Sequence, residues 1–218
     1  MKRLTIPVLV ALILVAFASA LPAHAADKNA AKSASKAGQK GAPVDSLELL
    51  QRAVARDSTK WENLYRLGLM LMDRDRPDEA RQVLLKATRV RPDHVPTIVN
   101  LGAAYDALGQ AGNAQNTYHQ ALKLSPEDTV ATCRLASSLY STGDYAEAVD
   151  LLRALIAKNP AAYCAYFTLG VAFADAGIYR DAIRMWEKVV ALAPGSPEAM
   201  SAKESIDVLQ RVIQSSPH

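Results

Sequence analysis

Pro92, Pro126, Pro160 and Pro194 recur at intervals of 34 residues, and each closes an apolar stretch with helical spacing. A fixed period of this length means that one helical unit has been copied along the chain, so the repeat decides the fold. Units beginning at Trp61, Val95, Thr129 and Tyr163 align without insertion or deletion. Leu67, Leu101, Leu135 and Leu169 fill one column, and the next residue is Gly68, Gly102, Ala136 or Gly170. Ala80, Ala114, Ala148 and Ala182 fill a third. Leu71, Tyr105, Leu139 and Phe173 lie one helical turn past the small column, and Leu84, Tyr118, Leu152 and Trp186 one turn past the alanines. Such spacing draws stripes along helices.

Each unit reads as two short antiparallel helices. Gly109, Gly143 and Gly177 can take the left-handed conformation that ends the first helix. In the first unit Asp75 replaces that glycine, and the break is ascribed to Pro77, which suits a first helical turn but not a helix interior. A glycine or alanine facing an alanine lets the paired helices approach, while larger residues fill the space above and below. These columns are packing residues, not site residues.

The pattern of Leu-Gly, an aromatic, Ala, an aromatic, Ala and Pro over 34 residues resembles the tetratricopeptide repeat family. The resemblance runs from Trp61 to Ser196 and is fullest in the second unit, at Ile98, Leu101, Gly102, Tyr105, Ala114, Tyr118, Ala121 and Pro126. The third unit departs most, with Thr132, Ala136 and Leu155. The resemblance implies an all-α fold, a right-handed α-solenoid of antiparallel helix pairs, with repeats at 61–94, 95–128, 129–162 and 163–196.

A stack of repeats must shield both ends. Upstream, residues 44–60 begin with a capping pattern, Asp45 answered by Glu48 and Val44 stapled to Leu49, and continue as a half-repeat helix to about Arg56. Downstream, residues 197–218 carry a capping helix with Ala199, Ala202, Ile206, Leu209 and Ile213 on one face, while Glu198, Lys203, Glu204, Asp207 and Arg211 favour solvent.

At the other end, Lys2 and Arg3 precede an uncharged apolar run from Leu4 to Leu21 and the triplet Ala23-His24-Ala25, which resembles a bacterial secretory signal over residues 1–25. The run approaches the ~20 residues of a membrane helix, so an uncleaved anchor is the competing reading. Either reading puts the repeats outside the cytoplasm, periplasmic or secreted. Residues 26–43 hold no apolar side chain larger than alanine before Pro43 and read as a disordered basic linker with an end-to-end distance of roughly 25 Å.

The whole chain carries 25 Lys and Arg against 22 acids. Without the signal and linker charges the balance is 19 against 21, so the repeats are slightly acidic, which argues against nucleic acid as a partner. His94 and His119 have no second ligand at metal spacing, and the chain has neither a glycine-rich phosphate loop nor a nucleophile elbow. The expectation is a non-enzyme with no metal and no cofactor.

The family resemblance implies that the concave groove, lined by the first helix of each pair, binds a peptide or helix of a partner protein. Carried over unit by unit, the lining is Glu62, Tyr65, Leu69 and Met72; Val99, Ala103 and Asp106; Val130, Cys133, Ser137 and Tyr140; and Cys164, Phe167, Val171 and Ala174. It is apolar with aromatic anchors, and Asp73, Asp106 and Asp175 lie toward one end, which suits an apolar partner with a basic flank. The family's carboxylate clamp is rejected, because only Asn100 and Arg134 match while Tyr65, Leu69 and Val130 occupy other clamp positions. The lining is open to a second reading, a face buried against neighbouring helices, and an exposed apolar patch favours the groove. Self-association through the groove or the capping helix is the alternative function, beside an accessory role in an envelope enzyme or assembly complex. Cys133 and Cys164, the chain's two cysteines, sit on adjacent first helices and either pair in a disulfide or pack as two small hydrophobes. Neighbouring helix axes ~8–10 Å apart make pairing depend on stagger.

Overall fold

The computed structural model describes residues 46–215. The signal segment, the linker, Val44 and Asp45 lie outside the described residues. Within them the chain forms ten α-helices and no strand. Helix α1 (Ser46–Arg56) stands alone, four pairs follow, and α10 (Pro197–Ser215) closes the stack. The pairs are α2 (Trp61–Asp73) with α3 (Pro77–Val90), α4 (Val95–Ala107) with α5 (Ala111–Leu124), α6 (Thr129–Thr142) with α7 (Tyr145–Lys158), and α8 (Tyr163–Asp175) with α9 (Tyr179–Leu192). Each second helix packs on the first helix of the next unit, and the first helices of successive units also touch. This is the expected all-α solenoid. No described helix is long and apolar enough to cross a membrane.

The turn inside each unit follows the positive-φ residue. Gly109, Gly143 and Gly177 have φ of 68°, 94° and 75°. In the first unit Asp75 itself takes φ 55°, so the break does not rest on Pro77 alone. Asp is among the residues that tolerate this region, because its short polar side chain bonds locally.

The contact within a pair differs from the expectation of a small residue facing an alanine. A Cβ added to Gly68 would lie 2.6 Å from Leu84 Cγ, one on Gly102 2.8 Å from Tyr118 Cδ1, and one on Gly170 2.8 Å from Trp186 Cε2. The glycine column is thus the seat for the large side chain of the second helix. The alanine column, Ala80, Ala114, Ala148 and Ala182, is fully buried beside it.

At the ends, Leu47 and Leu50 bury the half-repeat helix against Leu67, Leu71 and Leu84. Leu49 is exposed, and Glu48 pairs with Arg52 on the outer surface. On α10, Ala199, Ala202 and Leu209 bury against Trp186 and Val189 as expected, but Glu198, expected in solvent, is only 3% exposed. Position 198 falls on the same face as Ala202 and Leu209, and its Oε2 has no partner among the described residues. Ser196 Oγ caps α10 by accepting from the Ala199 amide at 3.0 Å.

Candidate interaction groove

The first helices present four different environments, because each turns the same register positions toward different neighbours. In the first unit Tyr65, Leu69 and Met72 are half-buried and Glu62 is exposed. Tyr65 lies edge-on to His94 at 5.2 Å between ring centroids, Trp61 lies 4.5 Å from His94, and the Arg91 guanidinium sits 4.5 Å above the Trp61 ring. The His94 Nδ1 accepts from the Thr97 amide at 3.3 Å and so caps α4. Burial, then Arg91, holds the His94 pKa below its ordinary value, opposed by Asp93. The cap requires an unprotonated Nδ1, which a neutral ring supplies. Sequence spacing alone did not find this cluster; its signal is an aromatic at the first and fifth positions of a unit whose last residue is also a ring.

In the second unit the groove closes. Val99 and Ala103 are buried rather than lining an open face. Asp106 accepts from Tyr118 Oη at 2.7 Å and from Ser138 Oγ at 2.9 Å, joining the second unit to the third. Burial raises the Asp106 pKa, while the two hydrogen bonds and Arg134 oppose that rise. Its carboxylate therefore serves the packing between units and is not offered to a ligand. Asn100, the clamp position, spends its side-chain amide on the Pro96 carbonyl at 2.8 Å.

In the third unit the face opens again. Val130 is 56% exposed and Ser137 is exposed, with Cys133 buried between them. Tyr140 is half-buried, stacks edge-on with Tyr145 at 4.9 Å and donates to Asp175 at 2.9 Å. Burial and the Asp175 carboxylate push the Tyr140 hydroxyl well above its ordinary pKa, so it stays a donor.

The fourth unit is split. Cys164 is bonded to Cys133, with Cα atoms 6.1 Å apart, and Val171 is half-buried. Contact between α6 and α8 brings these Cα atoms within disulfide range although helix axes usually stand farther apart. Phe167 is only 7% exposed and packs with Ala182, Trp186 and Val189, and Ala174 is buried too. The Phe167 carbonyl accepts from Trp186 Nε1 at 3.3 Å. Val99, Ala103, Cys133, Phe167 and Ala174 thus belong to the self-buried reading. Tyr65, Leu69, Met72, Val130, Ser137, Tyr140 and Val171 remain partly or fully accessible.

Among the described residues no three or more His, Cys, Asp or Glu side chains come together as a metal site. What the face offers is apolar and aromatic contact with a few hydroxyls.

Helix pairs of this length, seated glycine against large residue and stacked with a 34-residue register, define a helical-repeat protein. The tetratricopeptide repeat model matches residues 29–94, 99–163 and 133–197, more than half of the chain, which therefore belongs to the tetratricopeptide repeat family. That fold is generally a non-catalytic interaction module. Over 86 residues the chain is 30% identical to Superkiller protein 3 of Saccharomyces cerevisiae, covering 39% of this chain and 6% of that protein. The crystal structure of MamA matches with TM-score 0.57 at 22% identity, covering 72% of this chain and 89% of that one. The APC/C hetero-tetramer Cut9-Hcn1 matches with TM-score 0.68 at 18% identity, covering 77% and 33%. YrrB, described as a TPR protein with an unusual peptide-binding site, matches with TM-score 0.53 at 24% identity, covering 72% and 81%. At these identities the likeness to the structures is one of fold.

Proposed function

We propose that this protein is a non-catalytic interaction scaffold, exported to the cell envelope, that holds a peptide or helix of another exported protein against the open parts of its first helices. The observation that carries this reading is the surviving strip of accessible apolar and aromatic side chains on α2, α6 and α8, where Tyr65, Leu69, Met72, Val130, Tyr140 and Val171 stay partly open, whereas Val99 and Ala103 of the second unit are buried. Export is argued from the signal-like segment at residues 1–25. The Cys133–Cys164 bond agrees with it, because such bonds persist in oxidising compartments. If the signal-like segment remains, it is the membrane attachment.

The test is affinity capture from the envelope fraction with the wild-type protein beside a Val130→Glu, Ser137→Arg variant. Both positions are exposed, so the fold is expected to survive, with circular dichroism as the check. A partner retained by the wild type and weakened at least ~10-fold by the folded variant supports the groove. Equal capture by both refutes it.

Self-association is the second reading. Val90, Leu124 and Leu192 occupy the same repeat position, two residues before the repeating proline, and all three are exposed. Light scattering on the full chain separates monomer from dimer. Loss of a dimer in Leu124→Lys would assign the association to this edge.

A further inference from the structure

A cavity of about 500 Å³ opens between the second helices of the first and second units, on a different face of α4 from Val99 and Ala103. Leu85, Ile98, Leu101 and Tyr105 form its apolar floor, and the polar wall is Thr88 and Arg89 from α3 with Asn113, Asn116, Thr117 and Gln120 from α5. None of the groove positions lines it.

The repeat register supplies an internal control, since every unit carries the same positions. At the other two junctions the pairs corresponding to Thr88 and Thr117 are Leu122 with Leu151 and Ile156 with Met185, all packed against the core. Leu85 stands where the other units place His119, Arg153 and Glu187, all exposed. The positions of Asn113 and Asn116 carry Glu147 and Asp150 in the third unit and Asp181 and Arg184 in the fourth. At this junction, then, the apolar filling has become hydroxyls, the charged rim has become amides, and an exposed polar position has become leucine. General solvation of a repeat surface does not produce that exchange, because it would keep the charges and the packing. Among the described residues Arg89, Asn116 and Gln120 have no side-chain partner, and Arg89 is the one charge in the lining.

The geometry points to a second binding site here, for an extended peptide segment carrying an apolar side chain next to a carboxylate. The volume lies in the range of small-ligand sites. Each carboxamide offers a donor and an acceptor, the pair a peptide bond needs, so Asn116 and Gln120 read backbone. The floor takes the apolar side chain, and Arg89 takes the carboxylate in a lining that holds no acid to compete.

The test is an NMR titration of the ¹⁵N-labelled full chain with the blocked peptide acetyl-Ala-Leu-Asp-Ala-amide, followed through the side-chain amides of Asn113, Asn116 and Gln120. Saturable shifts confined to the cavity lining are expected, with a dissociation constant of about 1 mM or tighter for so small a probe. The Asp-to-Asn peptide and the chain variant N113E/N116D are each expected to weaken binding by about tenfold. That variant installs the side chains the third unit already carries at these positions, so its fold is expected to stand. Absence of saturable shifts in the lining, equal binding by the variant, or shifts at Val130 and Tyr140 in place of the cavity would each overturn the assignment. Because the probe is read at α5 and not at α6, the outcome is independent of the groove.

Discussion

The glycine column sets the closest test of packing. Tyr118 cannot retreat from an added Cβ at Gly102, because its hydroxyl is held by Asp106; Trp186 is held likewise through its Nε1 bond to the Phe167 carbonyl. Leu84 has no such tether, and the third unit already tolerates Ala136 with Leu152, both buried. Overpacking costs about 1–3 kcal/mol and the helix propensity gained from Gly to Ala returns up to about 1. Gly102→Ala and Gly170→Ala are therefore expected to lower stability by about 1–2 kcal/mol, and Gly68→Ala to stay within about 0.5 kcal/mol of wild type, in urea unfolding. Equal losses at all three would refute the tethered-ring argument. Asp106 makes a second prediction through pH. Its pKa in the folded chain lies above the ordinary carboxylate value, so the native state holds a proton that the unfolded state has released. Its contribution to stability is then present in full below the ordinary pKa and lost as pH rises through the folded value. Asp106→Asn removes the charge and keeps one acceptor oxygen, and the hydroxyl that faces the new NH2 must accept instead of donate. The stability of wild type minus that of Asp106→Asn should increase as pH falls from about 7 to about 4. A flat or falling difference in urea melts across that range would contradict it.

At the scale of helices, the register of prolines and glycines made the pairs legible, since a residue that stops a helix acts locally. Thr129 to Thr142 and Tyr145 to Lys158 follow from Gly143 and the prolines with no tertiary information. The direction in which a given side chain points after stacking was less legible. It depends on the small rotation between units, a sum of many contacts. That is why Val99 and Phe167 read as groove and proved buried, and why Glu198 read as solvated. The cysteines show the same division: their positions on adjacent first helices were plain, whereas the 6.1 Å approach is a property of how α6 meets α8. With a sequence separation of 31, the Cys133–Cys164 bond is expected to contribute about 2–4 kcal/mol by restricting the unfolded chain. Cys133→Ala with Cys164→Ala, or reduction of the wild type, should lower the urea midpoint accordingly and reduce hydrogen-exchange protection in α8 to α10 more than in α2 to α5. Uniform loss along the chain would mean that the bond does not act between the third and fourth units.

Among the described residues the helices of each unit pack mainly on those of the adjacent units, so stability is close to a sum of unit and junction terms, and the weakest junction decides where the stack parts. The third and fourth units are joined by a disulfide and by the Tyr140–Asp175 hydrogen bond as well as by Ile156 and Met185. The first and second meet through Leu101 and Ala104 packed with Leu67, Leu71 and Leu84, but on the side of the second helices they meet across Thr88, Thr117 and a cavity. The hydroxyls of both threonines bond to carbonyls within their own helices, at Leu85 and Asn113, so they add nothing across the junction. Opening is expected to begin on this second-helix side, loosening α1 to α3 from the rest. Replacing the pair with the residues of the next junction, Thr88→Leu with Thr117→Leu, buries added methylenes at about 0.8 kcal/mol each. Loss of two local back-bonds offsets little of this, because such bonds compete with the helix rather than support it. The double variant is expected to gain about 1–2 kcal/mol, to raise hydrogen-exchange protection in α1 to α3, and to abolish binding of the acidic peptide at the cavity. A site conserving its own weak junction for a ligand must show all three changes together. Stabilisation with peptide binding intact would separate the cavity from the site, and destabilisation would show that the threonines pack better than their leucine counterparts.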